Sequence, residues 1–251
     1  MGGSADLTDV ERFIDVNLPV LRTFGSVVVA TNFDQPDLAA ANRDLWRAYL
    51  PDCVLLDSPV NRGHSIGTAD LDNMLFDHAR GVGARWLCKS ANDMFLSPEL
   101  FDVPIEPADF YFLNAVSYSA LRQHNFDRGL FGADFLYPQT TFYVIDVTAV
   151  DDLNDRGELD RAWEHVRGIA DYNGRIWEYL PGFTCERLLR DCVLRNGLRR
   201  CHLMTPGQWQ EVLDLVIAHR IEDCSFKGLQ INGICHGQGL ASPRDAIVIA
   251  G

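Results

Sequence analysis

The sequence has very little lysine and no excess of positive charge. Of its 251 residues, 22 are lysine or arginine and 35 are aspartate or glutamate, so the formal net charge is −13. Only Lys89 and Lys227 are lysines. Proteins that bind nucleic acid through its phosphates normally present a basic face. The composition therefore argues against a nucleic-acid partner, including the DNA acceptor of a transferase that modifies DNA.

Long apolar runs are also missing. No stretch is long enough to span a bilayer, and the opening residues MGGSADLTDVERF lack the basic and apolar regions of a signal peptide. The seven cysteines are odd in number and form no C-x-x-C pair, which is typical of free thiols in a reducing compartment. We therefore expect a cytoplasmic protein with no membrane span.

Two common nucleotide-binding motifs are absent, and a hydrolase motif occurs without the strand that should lead into it. The run VATNFDQP contains no G-x-G-x-x-G, which disfavours a dinucleotide site, and the chain has no P-loop. One G-x-S-x-G occurs around Ser65. A nucleophile elbow needs a strand that leads almost directly into the serine, but here the apolar run stops at Leu56 and Pro59 intervenes. Ser65 is therefore better explained as a turn serine near a helix start, and a serine hydrolase is the weaker alternative.

Apolar runs of strand length alternate with amphipathic segments through the first half of the chain. Strands are predicted at 26–31, 53–56, 85–90, 110–115 and 141–146, and helices at 7–17, 36–49, 67–80, 162–172, 185–193 and 209–217. The tail after Cys224 is Gly-rich and is predicted to be irregular. This β-α-β-α-β order predicts an α/β fold with a mainly parallel central sheet flanked by helices, in a single domain that covers 1–251.

Polar residues follow two of the predicted strands. One strand ends in Asp57 and is followed by a turn with Asn61 and Gly63, and another leads into Asn92 and Asp93. Ligands of α/β sheets bind at the carboxyl ends of the strands. Acids placed there suit a sugar ring, or a metal ion with its diphosphate.

This order of motifs resembles the GT-A glycosyltransferases, and most closely the large inverting family two. The resemblance covers roughly residues 25–100 and is looser beyond them. It implies a nucleotide-binding half at about 20–100 and an acceptor-binding half at about 101–251. The positions that match the family's donor-binding residues are the turn after the first strand, the base-contacting acid after the second, and the Asn-x-Gly with a later Asn: Thr31, Asn32, Asp57, Asn61, Gly63 and Asn73.

The family's metal-binding Asp-x-Asp falls on Ala91-Asn92-Asp93, where only Asp93 is a strong anionic ligand. A cation that the diphosphate also holds needs few protein carboxylates, so the resemblance implies Mn²⁺ or Mg²⁺ at Asp93. His236, in a Gly-rich run, is a candidate second ligand, and Asn92 a substrate contact. Alternatively, Lys89 or an arginine such as Arg62 supplies the positive charge and no metal is used.

Two further residues are candidates near the reacting groups. His64 follows Gly63 in the turn and is either a diphosphate contact or a surface or capping histidine. Glu186 follows a Pro-Gly turn at a helix start, where the family places the acid that deprotonates the acceptor. Arg187 replaces the second acid often found there. The alternative is that Glu186 is only a helix-start acid, with Thr184 as the cap.

The resemblance predicts a glycosyltransferase, inverting in outcome, that moves a sugar from a nucleotide-diphosphate donor to a saccharide, small-molecule or protein acceptor. A sugar nucleotidyltransferase is an alternative, but the Gly-rich basic loop typical of such enzymes is absent from TNFDQPD. A non-catalytic nucleotide-sugar-binding protein of the same fold is a second alternative, because the metal-binding triplet is degenerate.

Overall fold

Helices and strands alternate from Thr8 to Ala91, as the hydrophobic pattern predicts. The computed structural model describes residues 7–92, 94–96, 107–114, 136–203, 230–231, 234–236 and 245–250. The helices are α1 (Thr8–Leu21), α2 (Pro36–Tyr49), α3 (His64–Gly81), α4 (Arg156–Val166) and α5 (Cys185–Arg195). The strands are β1 (Ser26–Thr31), β2 (Val54–Asp57), β3 (Trp86–Ala91), β4 (Met94–Leu96), β5 (Phe110–Asn114), β6 (Pro138–Asp146), β7 (Arg200–His202), β8 (Gln230–Ile231), β9 (Ile234–His236) and β10 (Asp245–Ala250).

Local signals set several helix starts. Pro36 occupies the first turn of α2, where its missing N–H costs no hydrogen bond. The Asp155 carboxylate accepts the Glu158 N–H at 2.9 Å and caps α4. This cap starts α4 at Arg156, earlier than the predicted 162–172 helix. The predicted helix at 209–217 lies outside the described residues.

The large sheet is mixed, whereas the sequence predicted a mainly parallel one. Its strand order is β2-β1-β10-β3-β6-β5-β7. β1 pairs with β2, and β5 with β7, in parallel, but the four other neighbouring pairs are antiparallel. The reason is that β10 lies between β1 and β3, and β6 between β3 and β5, each against the direction of its neighbours. The α/β class and the helices beside the sheet are confirmed.

The C-terminal tail is not wholly irregular, which corrects a second expectation. Residues 246–250 read Ala-Ile-Val-Ile-Ala and form β10 at the centre of the sheet, where Val28 pairs with Val248. A continuous apolar run of this length is typical of a strand buried on both faces. β8 and β9 form a small second sheet with β4.

Helices cover both faces of the large sheet. The side chains of Val27 and Val29 pack in one cluster with Phe13 and Trp46 from α1 and α2. Val28 and Ala30 face the other way and pack with residues of α3 and α5, such as Leu75 and Leu189. Within the described ranges, no helix combines the length and the apolar character needed to cross a bilayer.

Candidate functional site

The carboxyl ends of the parallel strands β1 and β2 are joined by side chains. Thr31 Oγ1 donates to Asp57 Oδ1 at 2.9 Å, and Arg43 Nη1 of α2 donates to Asp57 Oδ2 at 2.5 Å. The Asp57 side chain is 42% exposed. Each carboxylate oxygen can accept more than one hydrogen bond. Asp57 is therefore fixed in orientation and can still accept a hydroxyl from solvent or ligand.

The turn before α3 is organised around Asn61. Its Oδ1 accepts from Asn32 Nδ2 at 3.3 Å and from the Gly63 N–H at 3.0 Å, and its Nδ2 donates to Asp34 Oδ2 at 3.2 Å. Asn61 thus ties the turn to the end of β1. The predicted residues Asn32, Asn61 and Gly63 form one hydrogen-bonded group.

Glycine is required where this turn enters the helix. Gly63 has φ +85°, and a Cβ on Gly67 would lie 3.0 Å from Asn32 Nδ2. The small residue at 67 lets the first turn of α3 approach the end of β1. That turn contains no acid, so no side chain of the turn itself offsets the positive end of the helix dipole beside the strand ends.

His64 lies at a wall of the site. Its side chain reaches solvent, yet protein atoms surround part of the ring, and this burial lowers the pKa of the imidazole below its usual 6.5. The negative charge of Glu186 acts in the opposite direction, so the two residues are electrostatic neighbours. The ring of Trp177 lies 5.6 Å from the His64 ring in an edge-on arrangement.

Glu186 lies in the first turn of α5 and is partly buried. Thr140 Oγ1 donates to Glu186 Oε1 at 3.4 Å. Nearby, the hydroxyls of Tyr137 and Thr184 are hydrogen-bonded at 2.9 Å, and burial followed by the charge of Glu186 raises the pKa of Tyr137 to about 12. Thr184 Oγ1 also accepts the Arg187 N–H at 3.1 Å, which confirms it as the cap of α5.

Lys89 lies inside the protein and not on the surface of the site. Its side chain is 2% exposed, and its ammonium pairs with Asp72 Oδ1 at 3.6 Å and donates to the Thr140 carbonyl. Burial raises the pKa of Asp72, and the positive charge of Lys89 opposes that shift. Tyr143 lies against the same carboxylate. We therefore assign the charge of Lys89 to this buried pair and not to a diphosphate.

Arg62 is likewise neutralised by neighbouring acids. Its guanidinium donates twice to Asp70, at 2.5 and 2.7 Å, and once to Asp160 at 2.8 Å. The hydrogen bond to Asp70 contributes most to raising the pKa of Arg62. These contacts tie the turn to α3 and α4, so the guanidinium is not available as the main diphosphate contact.

Three other sequence candidates are buried. The Asn73 side chain exchanges hydrogen bonds with the backbone of Asn154, at 3.1 and 3.0 Å, and we leave it out of the site. Asn92 is buried directly after β3. Ser65 is buried as the second residue of α3, and no strand leads into it, so the structure disfavours the hydrolase alternative.

The predicted metal ligands are only partly described. Asp93 lies outside the described residues. His236 lies in β9, and its backbone pairs with Met94, the residue that follows Asp93 in the sequence. Among the described residues, no group of three or more His, Cys, Asp or Glu side chains is arranged to hold a metal ion. The metal prediction therefore depends on Asp93 and His236, together with oxygens of a bound diphosphate.

Most of the remaining candidates lie at this edge of the sheet. Hydrogen bonds join Thr31 to Asp57, and Asn61 to both Asn32 and Gly63. His64 follows Gly63 in the chain, and the charge of Glu186 acts on its imidazole. Sequence reasoning missed Thr140, Tyr137 and Trp177, because no motif marks them. Comparisons with protein-family models, curated proteins and solved structures found no match to this chain.

Proposed function

We propose that this protein is a glycosyltransferase that moves a sugar from a nucleotide-diphosphate donor to a hydroxyl acceptor. The observation that carries the proposal is the hydrogen-bonded group of Asn32, Asn61 and Gly63 beside Asp57, at the carboxyl ends of β1 and β2. His64 belongs to the turn at the strand ends, and the charge of Glu186, far along the sequence, acts on its imidazole. A polar cradle suited to a donor and a carboxylate suited to a base therefore border the same site.

The strand ends are the proposed donor side. Asp57, held by Thr31 and Arg43, offers fixed acceptor oxygens for the hydroxyls of a ribose or the edge of a base. The start of α3 places the positive end of a helix dipole beside them, and helix N-termini favour phosphate. The Asn61 hydrogen bonds hold this arrangement before any ligand arrives.

Glu186 is the proposed general base. Its carboxylate takes the proton of the acceptor hydroxyl, whose oxygen attacks the anomeric carbon of the donor sugar. The bond from that carbon to the diphosphate breaks, and the nucleoside diphosphate leaves with the electron pair. Attack from the face opposite the diphosphate inverts the anomeric centre. Base catalysis of this kind contributes about a hundred- to ten-thousand-fold in rate.

A divalent cation is part of the proposal. Mn²⁺ or Mg²⁺ would be held by Asp93 and His236 and would neutralise charge on the departing diphosphate. The pairing of Met94 with His236 brings β9 beside the strand that follows Asp93 in the sequence. Lys89 and Arg62 are already paired with acids, so neither offers an uncompensated charge in place of the cation.

Thermal melting with a panel of nucleoside diphosphates, with and without Mn²⁺, tests the donor side. A ligand that binds only the folded state raises the free energy of unfolding by about 2.7 kcal/mol at a hundred times its Kd. We expect a rise in Tm for wild type and a smaller rise for D57N. D77N is the matched control, because Asp77 forms a comparable surface pair with Arg156 at 2.7 Å.

Two outcomes would contradict the proposal. If no nucleoside diphosphate at millimolar concentration raises the Tm, both hypotheses fail: the glycosyltransferase and the non-catalytic binding protein. A shift without transfer or hydrolysis of any nucleotide sugar would favour the non-catalytic binding protein.

A further inference from the structure

A buried series of polar contacts connects four elements and ends at Glu186. Asp72 of α3 pairs with Lys89 of β3 at 3.6 Å, and the Lys89 ammonium donates to the main-chain carbonyl of Thr140 in β6. The hydroxyl of the same Thr140 donates to Glu186 Oε1 at 3.4 Å. The proposed base is therefore linked to the only ion pair in the described structure whose two side chains are both at least 98% buried.

The fold alone does not require this pair. Removing two charges from water costs several kcal/mol for each ion, and apolar pairs of similar size often stabilise a core equally well. Burial of Asp72 and Lys89 is better explained by the geometry that they impose. Lys89 holds the peptide carbonyl of Thr140, the residue whose hydroxyl donates to Glu186.

We propose that Thr140 and Lys89 are positioning residues that hold the Glu186 carboxylate toward the acceptor hydroxyl, an inference that rests on the proposed function. Thr140 acts directly through its hydroxyl, and Lys89 acts through the Thr140 backbone. The Thr140 hydroxyl also lies 3.4 Å from Cys185 Sγ, a weak hydrogen-bonding partner. The carboxylate is the stronger acceptor, because hydrogen bonds to charged groups are about twice as strong as neutral ones.

His64 provides a reporter of the position of Glu186 that needs no substrate. Glu186 from α5 raises the pKa of His64, whereas Lys89 from β3 and Arg175 lower it, and the uncharged Trp177 packs against the ring. A carboxylate that leaves its place beside His64 should therefore lower the pKa of the imidazole. Substitution of Thr140 by valine changes no charge and keeps the backbone carbonyl that Lys89 contacts. Withdrawal of Lys89 would raise the pKa of His64, so a fall in that pKa reports movement of Glu186.

The test is an NMR titration of the His64 ring in wild type, T140V, T140S and E186Q, with H64N to assign the resonance. Valine keeps the shape and strand preference of threonine but cannot donate a hydrogen bond. We expect T140V to lower the pKa of His64 in the same direction as E186Q, and T140S to leave it at the wild-type value. A thermal melt of each variant confirms that it is folded.

Kinetics supply the second readout. T140V should reduce kcat by about ten- to a hundred-fold, as expected for a displaced catalytic group, with little change in the KM for the donor, and T140S should restore the rate. An unchanged His64 titration in T140V, or in E186Q, overturns the positioning role. Absence of transfer in wild type instead overturns the proposed function, and the titration still decides whether Thr140 holds Glu186.

Discussion

Gly63 and Gly174 approach each other backbone to backbone. A Cβ built on Gly63 would lie 2.7 Å from Gly174 Cα, and both residues have positive φ, +85° and +84°. The His64 N–H donates to the Gly174 carbonyl at 3.0 Å. This contact joins the turn at the strand ends to the segment that carries Trp177, so it sets the separation of two walls of the site.

We expect G63A to disrupt this contact and weaken binding of a nucleoside diphosphate. An alanine there must adopt an unfavourable positive φ and must also displace the Gly174 backbone. G182A is the matched control, because Gly182 has φ +81° and a Cβ added there would meet nothing within 4 Å. Both variants should lose about 1 kcal/mol or more from backbone strain. Calorimetry measures the affinity for the nucleoside diphosphate. An equal loss of affinity in G63A and G182A would show that the close approach of Gly63 to Gly174 does not affect ligand binding.

Substitution of Glu186 by glutamine separates catalysis from helix stability. Transfer should fall by about a hundred-fold or more, because glutamine cannot accept the acceptor's proton, while donor affinity stays near wild type. E158Q is a comparison for stability alone, since Glu158 lies in the first turn of α4 and also pairs with Arg187 of α5. Loss of an acid at either helix start should cost only about 0.3–1 kcal/mol. If the rate of sugar transfer per folded molecule is unchanged in E186Q, Glu186 is not the base.

The buried pair of Lys89 and Asp72 predicts a large non-additive effect on stability. K89M leaves the Asp72 carboxylate buried without its cation and should reduce the free energy of unfolding by about 3–5 kcal/mol. The double variant D72L/K89M removes both charges and should recover most of that loss. Urea unfolding of the two variants measures the difference. Equal losses in both would mean that packing, and not the uncompensated charge, sets the cost.

Asp109 and Arg199 predict a loss of stability in acid. The Arg199 guanidinium donates to the Asp109 carboxylate at 2.6 and 3.0 Å, and the Arg199 backbone N–H donates to it at 3.0 Å. These hydrogen bonds lower the pKa of Asp109, and those from the guanidinium contribute most. The pKa of Asp109 in the folded protein lies below its value of about 3.9 in the unfolded chain. The ion pair therefore stabilises the folded state at any pH above the unfolded pKa. This stabilisation is lost as the pH falls through the pKa of the folded state.

The measurement is the free energy of unfolding from neutral pH down to about pH 3. Because the pair lies at the surface, its contribution should be about 1 kcal/mol or less. D109N should flatten this part of the acid decline, and R199M should flatten most of it by removing the partner. Curves for D109N and wild type that stay parallel below pH 5 would show that the pair contributes nothing.

The sequence by itself determined the elements whose signals are local. The apolar run of β1, the proline that opens α2 and the threonine that caps α5 act within a few residues, so their effects can be read directly. The resemblance placed both Thr31 and Asp57 at the donor. The two side chains are hydrogen-bonded to each other, because parallel neighbouring strands end at the same edge of a sheet.

Only the tertiary structure decided which distant segments pair and which polar groups are buried. The run that forms β10 is visible in the sequence, but its insertion between β1 and β3 depends on competition among all the strands for backbone hydrogen bonds. In the sequence, Lys89 and Asp72 are ordinary charged residues. Only the packing of β3 against α3 buries them together as an ion pair. Glu186 acquires its relation to His64 in the same way, because electrostatic interaction depends on distance in space and not along the chain.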